Sequence, residues 1–268
     1  NTLINLAQKL GAKGTICYQD KALGTAHAVH CATQSLKGNV IVAFADTLFI
    51  ANFKLDTSKD AIIWVQQVED PSAFGVVKLD EHERITDFIE KPKDFVSDLA
   101  IIGIYYFKHG EILQKELQYL LDNNIHVNGE FQLTTALENM KEKGTAFYPG
   151  KIDEWLDCGN KNATVHTNSR ILAQYGSSLA PDISVTNSQI IEPCCIQKGA
   201  KITNSVIGPY VTIGENTTLE NCIISNSLIQ NNTKLSYVCC TESMIGNNVE
   251  IQHTPKDYNI GDYTCLKK

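Results

Sequence analysis

The sequence predicts an α/β domain with a mixed sheet, followed by a parallel solenoid of very short strands. Strand and helix signals alternate through about residue 175, which is the pattern of sheet and helix layered around one core. After Pro181 the aliphatic residues fall instead into a steady beat. Within the first part, Leu23-Gly24-Thr25-Ala26-His27-Ala28 opens a helix, and an apolar strand runs into Phe44-Ala45-Asp46. A loop glycine has no Cβ, so the backbone there can approach a flat or phosphorylated ligand. An Asp at the carboxyl end of a strand sets a hard oxygen ligand at the crevice where open α/β sheets bind substrates.

The elements follow in order. Residues 3–10 and 25–36 read as helices, and 40–45, 61–65, 74–78 and 100–107 as strands rich in apolar and β-branched residues. Helical spacing returns at 111–122 and 131–143, which end in Asn123-Asn124 and Gly144. In the first of these, the apolar set Ile112, Leu113, Leu117, Leu120 and Leu121 forms one stripe.

The beat after Pro181 joins Ile190, Ile196, Ile202, Ile207, Ile213, Leu219 and Ile224, at spacings of six, six, five, six, six and five. A repeat near seventeen in three segments cannot be a helix stripe. It fits a coil of three short strands, each sending one aliphatic residue to the axis. Asn204, Asn216, Asn221, Gly208 and Gly214 supply the corners, and Ile229, Leu235, Ile245 and Ile251 continue the pattern less cleanly.

At 268 residues the chain has room for one large domain and a smaller one. A net charge of −7 with no Lys/Arg block argues against nucleic acid or an anionic membrane as partner. The longest apolar run, 99–107, is too short to span a bilayer and carries two tyrosines. The nine cysteines show no C-x-x-C and no zinc spacing. With Cys17, Cys31, Cys222 and Cys265 in apolar or small-residue settings, the expectation is reduced thiols in a cytoplasmic protein.

Read together, Gln19, the LGTAHA run at 23–28, Phe44-Ala45-Asp46, Phe74-Gly75-Val76-Val77, Glu90-Lys91-Pro92, Gly103-Ile104-Tyr105, Gly129-Glu130 with Leu133-Thr134, and Trp155-Leu156-Asp157-Cys158-Gly159 resemble the sugar-nucleotide pyrophosphorylases. The likeness spans 15–172 almost without a break. The later part is similar to the hexapeptide-repeat, left-handed parallel β-helix, and the whole to long-form glucose-1-phosphate thymidylyltransferases. The resemblance implies a Rossmann-like nucleotidyltransferase domain at 1–175, a left-handed β-helix at 181–254 and a tail at 255–268. The family opens with a strand and a Gly-rich loop bearing an Arg and followed by a Lys, and this sequence contains neither. A segment missing ahead of Asn1 is the expectation, and so is little pyrophosphate release by the chain as it stands.

The implied reaction is attack by a sugar-1-phosphate oxygen on the α-phosphorus of an NTP, with dTTP or UTP and glucose-1-phosphate foremost. The resemblance makes Asp46 and Asp157 joint ligands of Mg²⁺ and brings Lys91 to the sugar phosphate, these three forming the catalytic set. Glu90 and Glu130 would accept hydrogen bonds from sugar hydroxyls, and Gly75 and Gly103 would let the backbone near the hexose. Gln19 suits a pyrimidine edge, with Gly24 beneath the base; Thr25 and Thr134 join the binding set, and Trp155 supports Asp157. Each has an ordinary alternative: Glu130 suits a helix start, and isolated strand glycines mark bulges. His27 has no neighbouring nucleophile or ligand spacing and reads as a packed helix histidine. A hexapeptide acyltransferase and a nucleotide-sugar-binding regulatory subunit are the competing functions. Exposed coil ends and flat faces favour a homo-oligomer.

Overall fold

The computed structural model describes residues 2–52 and 54–265, so the last three residues of the expected tail lie outside the described residues. The chain divides into two compact units, between Trp155 and Leu156.

The first unit contains helices α1 (Thr2–Lys9) and α2 (Thr25–His30) and strands β1 (Val40–Ala43), β2 (Thr47–Ile50), β3 (Ala61–Gln67), β4 (Gly75–Leu79), β5 (Ile85–Glu90) and β6 (Leu99–Phe107). Helices α3 (Gly110–Asp122) and α4 (Leu133–Glu142) follow, then β7 (Phe147–Gly150); the boundary between the units falls within β8 (Glu154–Asp157). The main sheet runs β5-β4-β6-β3-β7, with β1 also on β6. β1, β3 and β4 lie antiparallel to β6, whereas β3 and β7 are parallel, so the sheet is mixed as expected.

Alternation along the two central strands explains why they carry so little polar character. Ile63, Val65, Ile101, Tyr105 and Phe107 face the helices, packing with Leu113, Leu117 and Leu120 of α3 and Leu133, Leu137 and Met140 of α4. Ile62, Trp64, Ile102, Ile104 and Tyr106 point to the opposite face, against Leu55, Ile152 and Trp155. Both faces are covered. Each fully buried leucine contributes roughly 1.5–3 kcal/mol relative to exposure.

Two expectations are corrected. The α3 stripe is narrower than read, because Ile112 sits at its edge and is 40% exposed. The helix expected at 25–36 stops at His30, and Thr33–Ser35 form a 3₁₀ turn instead. That tighter turn delivers Leu36 to the core, where it is buried. The chain then returns so that Gly38 C=O accepts the Gly110 N–H at 2.7 Å.

The second unit carries helix α5 (Lys161–Tyr175) and the solenoid. Asn160 caps α5, its Oδ1 accepting the Ala163 N–H at 3.0 Å. The helix packs on the solenoid, where Thr212 donates to Asn168 Oδ1 at 2.6 Å. Successive coils pair in parallel and in register: Ser184 opposes Lys201, then Thr218, Lys234 and Glu250. The coil is therefore 17 residues long, shortening to 16 in the last turns. Ile196, Ile202, Ile207, Ile213, Leu219 and Ile224 are all buried on its axis. The architecture agrees with the expected left-handed β-helix.

Corners form as the sequence suggested, by two different routes. Asn204, Asn216 and Asn221 have φ of 52°, 55° and 53°, the left-handed region that Asn tolerates better than other side-chain-bearing residues. Gly214 serves close approach instead, since a Cβ there would collide with Asn231 of the next coil. A ladder of hydroxyls completes the corners. Ser205 N–H donates to Ser188 Oγ at 3.0 Å, and Cys222 N–H to Ser205 Oγ at 2.9 Å.

All nine cysteines are free. Cys194 and Cys222 are buried in the solenoid, where burial pushes both thiols up and makes them poor nucleophiles. Cys17 and Cys265 are exposed, although their sequence neighbours are apolar or small. Among the described residues, no helix is long and apolar enough to cross a membrane.

Candidate active site

The loop before α2 and the loop before α4 are tied together by their backbones. Ala26 N–H donates to Phe131 C=O at 2.9 Å, and Phe131 N–H to Leu23 C=O at 2.8 Å. Gly24 is the point of closest approach: its φ is 108°, and a Cβ would stand 2.5 Å from Phe131 O and 2.8 Å from Phe131 N. Here glycine is required by both the dihedral and the space. Gly24→Ala should therefore lower stability by about 2–4 kcal/mol, combining backbone strain with a clash. Denaturant unfolding would check this, and an unchanged midpoint would contradict it.

Side chains reinforce the same junction. Leu133 N–H donates to Thr25 Oγ1 at 3.0 Å, and Thr25 O–H donates to Gln132 Oε1 at 3.3 Å. Gln132 Nε2 donates in turn to Glu130 Oε2 at 2.9 Å. Gln19 lies beside this loop, its Nε2 within 3.1 Å of Gly24 O and 3.0 Å of His27 Nδ1. His27 thus holds Gln19.

A second set gathers on β4, β5 and the first turn of α4. Thr134 O–H donates to Glu90 Oε2 at 3.0 Å. A Cβ on Gly75 would lie 3.1 Å from Glu90 Oε2 and 3.1 Å from Thr134 Cγ2, so the three residues share one small space. Tyr105 is buried next to it, and desolvation, with the Glu90 charge second, pushes its phenol far above the usual range. Tyr105 is a neutral donor at any ordinary pH. Lys91 follows on an exposed turn with φ 43°, and its N–H donates to Phe74 O at 3.1 Å. Trp155 stands edge-on to the Phe74 ring at 5.0 Å, with its buried Nε1 unpartnered among the described residues.

The loop after β1 holds a third set in the first unit. Phe44 N–H donates to Gly103 O at 2.9 Å, and the Phe44 ring lies 5.6 Å from that of Tyr105. A Cβ on Gly103, whose φ is 83°, would press on Phe44 and on Thr47 Oγ1. Asp46 is exposed in this loop, and its carboxylate has no hydrogen-bond or ion-pair partner among the described residues. An open pocket of ≈ 570 Å³ lies here, lined by Thr25, Ala28 and Val29 of α2 and by Val42 through Asp46.

Asp157 belongs to the second unit. Its Oδ1 accepts the Gly159 N–H at 2.9 Å and its C=O accepts the Thr167 hydroxyl at 2.6 Å, which fixes the carboxylate's outlook at the end of β8. Among the described residues no three His, Cys, Asp or Glu side chains cluster as a metal cage. Free carboxylate oxygens still match a hard ion such as Mg²⁺, which takes only one or two from protein and the rest from phosphate and water.

Comparison with known sequences then decides the class. A nucleotidyl transferase family model matches residues 1–174. The chain belongs to that family. A model of the GlmU-like C-terminal hexapeptide matches residues 160–237, which take in all of α5 and most of the solenoid. Among nucleotidyl transferases with assigned names, a glucose-1-phosphate thymidylyltransferase of Streptomyces antibioticus is 28% identical, across 97% of this chain and 80% of its own length. A bifunctional protein GlmU of Methanococcus maripaludis is 30% identical over 86% of this chain and 60% of its own. The fold is shared with a nucleoside-diphosphate-sugar pyrophosphorylase from Vibrio cholerae RC9, at TM-score 0.52 and 20% identity, over 62% of this chain and 74% of that one.

Of the residues singled out from sequence, the first unit links Gly24, Thr25 and Glu130 in one junction and Gly75, Glu90 and Thr134 in another. Gln132 and Tyr105 were not foreseen. Tyr105 lay within a quoted motif but reads as core, and Gln132 carries no sequence signal beyond its place beside Glu130.

Proposed function

We propose that this protein transfers a nucleotidyl group from dTTP or UTP to glucose-1-phosphate, giving the NDP-sugar and pyrophosphate. The observation that carries the reading is the closure of the Gly24 loop onto the Glu130 loop, beside the Glu90–Thr134 pair. The loop assigned to the base and two carboxylates suited to hydroxyls then adjoin one another, as a nucleotide and a sugar phosphate require.

In the reaction a phosphate oxygen of the sugar forms a bond to the α-phosphorus, and the bond to the bridging oxygen of the β-phosphate breaks. Little covalent work falls to the protein, which must align two anions and neutralise them. Gln19, whose amide nitrogen is taken up by Gly24 and His27, meets the base edge above Gly24 with its carbonyl oxygen as an acceptor. Glu130 and Glu90 accept from sugar hydroxyls, with Thr134 holding the Glu90 carboxylate in place. Gly75 and Gly103 let backbone groups approach the hexose. Lys91 meets the sugar phosphate as a point charge, and its exposed position leaves it free to do so. Asp46 and Asp157 would hold the divalent metal, which when bound supplies charge neutralisation at the phosphates.

The solenoid in this reading serves assembly. Its exposed Ile223, on an outward strand position, is the kind of apolar residue a second copy would cover. Lys91→Ala removes one charge facing a dianion and should weaken glucose-1-phosphate binding by about 1.5–3 kcal/mol. Titration calorimetry tests it; unchanged affinity would remove Lys91 from the site.

A further inference from the structure

We infer that Gln132 is a positioning residue that couples occupancy of the nucleotide loop to the orientation of Glu130, so that the two substrates bind cooperatively. The inference rests on the proposed function and adds to it a link between the two subsites.

The argument begins with burial. Gln132 is only 7% exposed, and a buried amide must satisfy both its ends. Its partners leave no choice of orientation. Thr25 Oγ1 already accepts the Leu133 N–H, so the hydroxyl hydrogen is free to point at Gln132. The Glu130 carboxylate can only accept, so the amino end of the amide faces it and the carbonyl end faces the Thr25 hydroxyl. The flipped amide would set a carbonyl oxygen against a carboxylate, two acceptors with no hydrogen between them. The chain of bonds thus runs in one direction, from Leu133 N–H through Thr25 and Gln132 to Glu130 Oε2.

That direction has consequences at both ends. Thr25 follows Gly24 in the loop assigned to the nucleotide, and it lines the ≈ 570 Å³ pocket. Glu130 is exposed apart from the one oxygen held by Gln132, so Oε1 is left to the sugar. The longest link is Thr25–Gln132 at 3.3 Å, against 2.9 Å and 3.0 Å for the others. A nucleotide pressing on the 23–25 loop shortens this link first. The Gln132 amide is then more firmly oriented, and Glu130 loses less freedom when the sugar arrives. By linkage the sugar favours the nucleotide to the same degree. Hydrogen bonds in series strengthen one another in a desolvated setting, which is the setting Gln132 has.

The test is calorimetric titration of the full protein with glucose-1-phosphate, with and without saturating dTMP or UMP. Unmodified protein should bind the sugar phosphate about fivefold or more tightly when nucleotide is present, the lower end of ordinary coupling. Gln132→Leu keeps the volume and removes the amide, and should bring that ratio to within about twofold of one. Thr25→Val should do the same, while Thr25→Ser, which keeps the hydroxyl, should restore the coupling. The Thr25 pair also serves if Gln132→Leu does not fold. Coupling retained in Gln132→Leu or Thr25→Val overturns the inference, as does independent binding of the two ligands to unmodified protein. Failure of unmodified protein to bind either ligand overturns the proposed function together with it.

Discussion

Asp46→Asn is expected to lower kcat about 10²–10³-fold, or ~3–4 kcal/mol, with nucleotide binding changed only modestly. The carboxylate has no partner among the described residues and is exposed in the loop after β1, so the fold does not depend on it. Asn keeps the shape and removes the charge. A group that neutralises charge mainly while the phosphoryl bonds rearrange shows its loss in kcat rather than in ground-state affinity. Steady-state kinetics on the variant decides the matter. A rise in KM with kcat intact would mean that Asp46 serves uniform binding, and the metal assignment would fall.

Ile213→Asp should cost more than 4 kcal/mol of stability in the second unit. Ile213 is fully buried on the solenoid axis and stacks between Ile196 below and Ile229 above. A carboxyl group there has no donor to meet, so it carries an unpaired polar group into an apolar column. Ile213→Val, which only trims a methyl group, should cost about 0.5–1.5 kcal/mol. Denaturant unfolding followed by circular dichroism compares the two. Equal midpoints would mean that the axis is not the packed core described. Because Lys91 and Glu130 lie in the first unit, glucose-1-phosphate affinity should survive both substitutions.

The solenoid was the more legible half because its sequence signal is the packing itself. One aliphatic residue per strand, repeated at fixed intervals, admits a single periodic arrangement. The α/β half was legible where strands are buried on both faces, as at β3 and β6, since such strands read as continuous apolar runs. Helix α5, ahead of the solenoid in the second unit, was harder to see. The segment KNATVHTNSRILAQY buries only Val165, Thr167 and Leu172, and its Asn, Ser and Thr content blurs any stripe. The end of α2 was misjudged for a related reason. Leu36 continues the helical spacing, yet it reaches the core from a 3₁₀ turn, which spacing alone does not distinguish.

In the site, glycines and carboxylates stood out because each answers a specific chemical demand. Gln132 did not, because glutamine between Glu130 and Leu133 has the look of a surface residue. Only the fold reveals that it is buried between Thr25 and Glu130. Thr134 gains its role in the same way, by meeting Glu90 from a helix 44 residues further along the chain.

The central claim is nucleotidyl transfer to a sugar-1-phosphate, and ³¹P NMR of one reaction mixture reads it directly. Full-length protein would be supplied with Mg²⁺, glucose-1-phosphate and dTTP or UTP. The account predicts the paired diphosphate resonances of an NDP-sugar growing in step with pyrophosphate, as the glucose-1-phosphate signal declines. Glucose-1-phosphate bound but unconsumed with every NTP tried would contradict it, and would make this chain a binding subunit rather than a transferase.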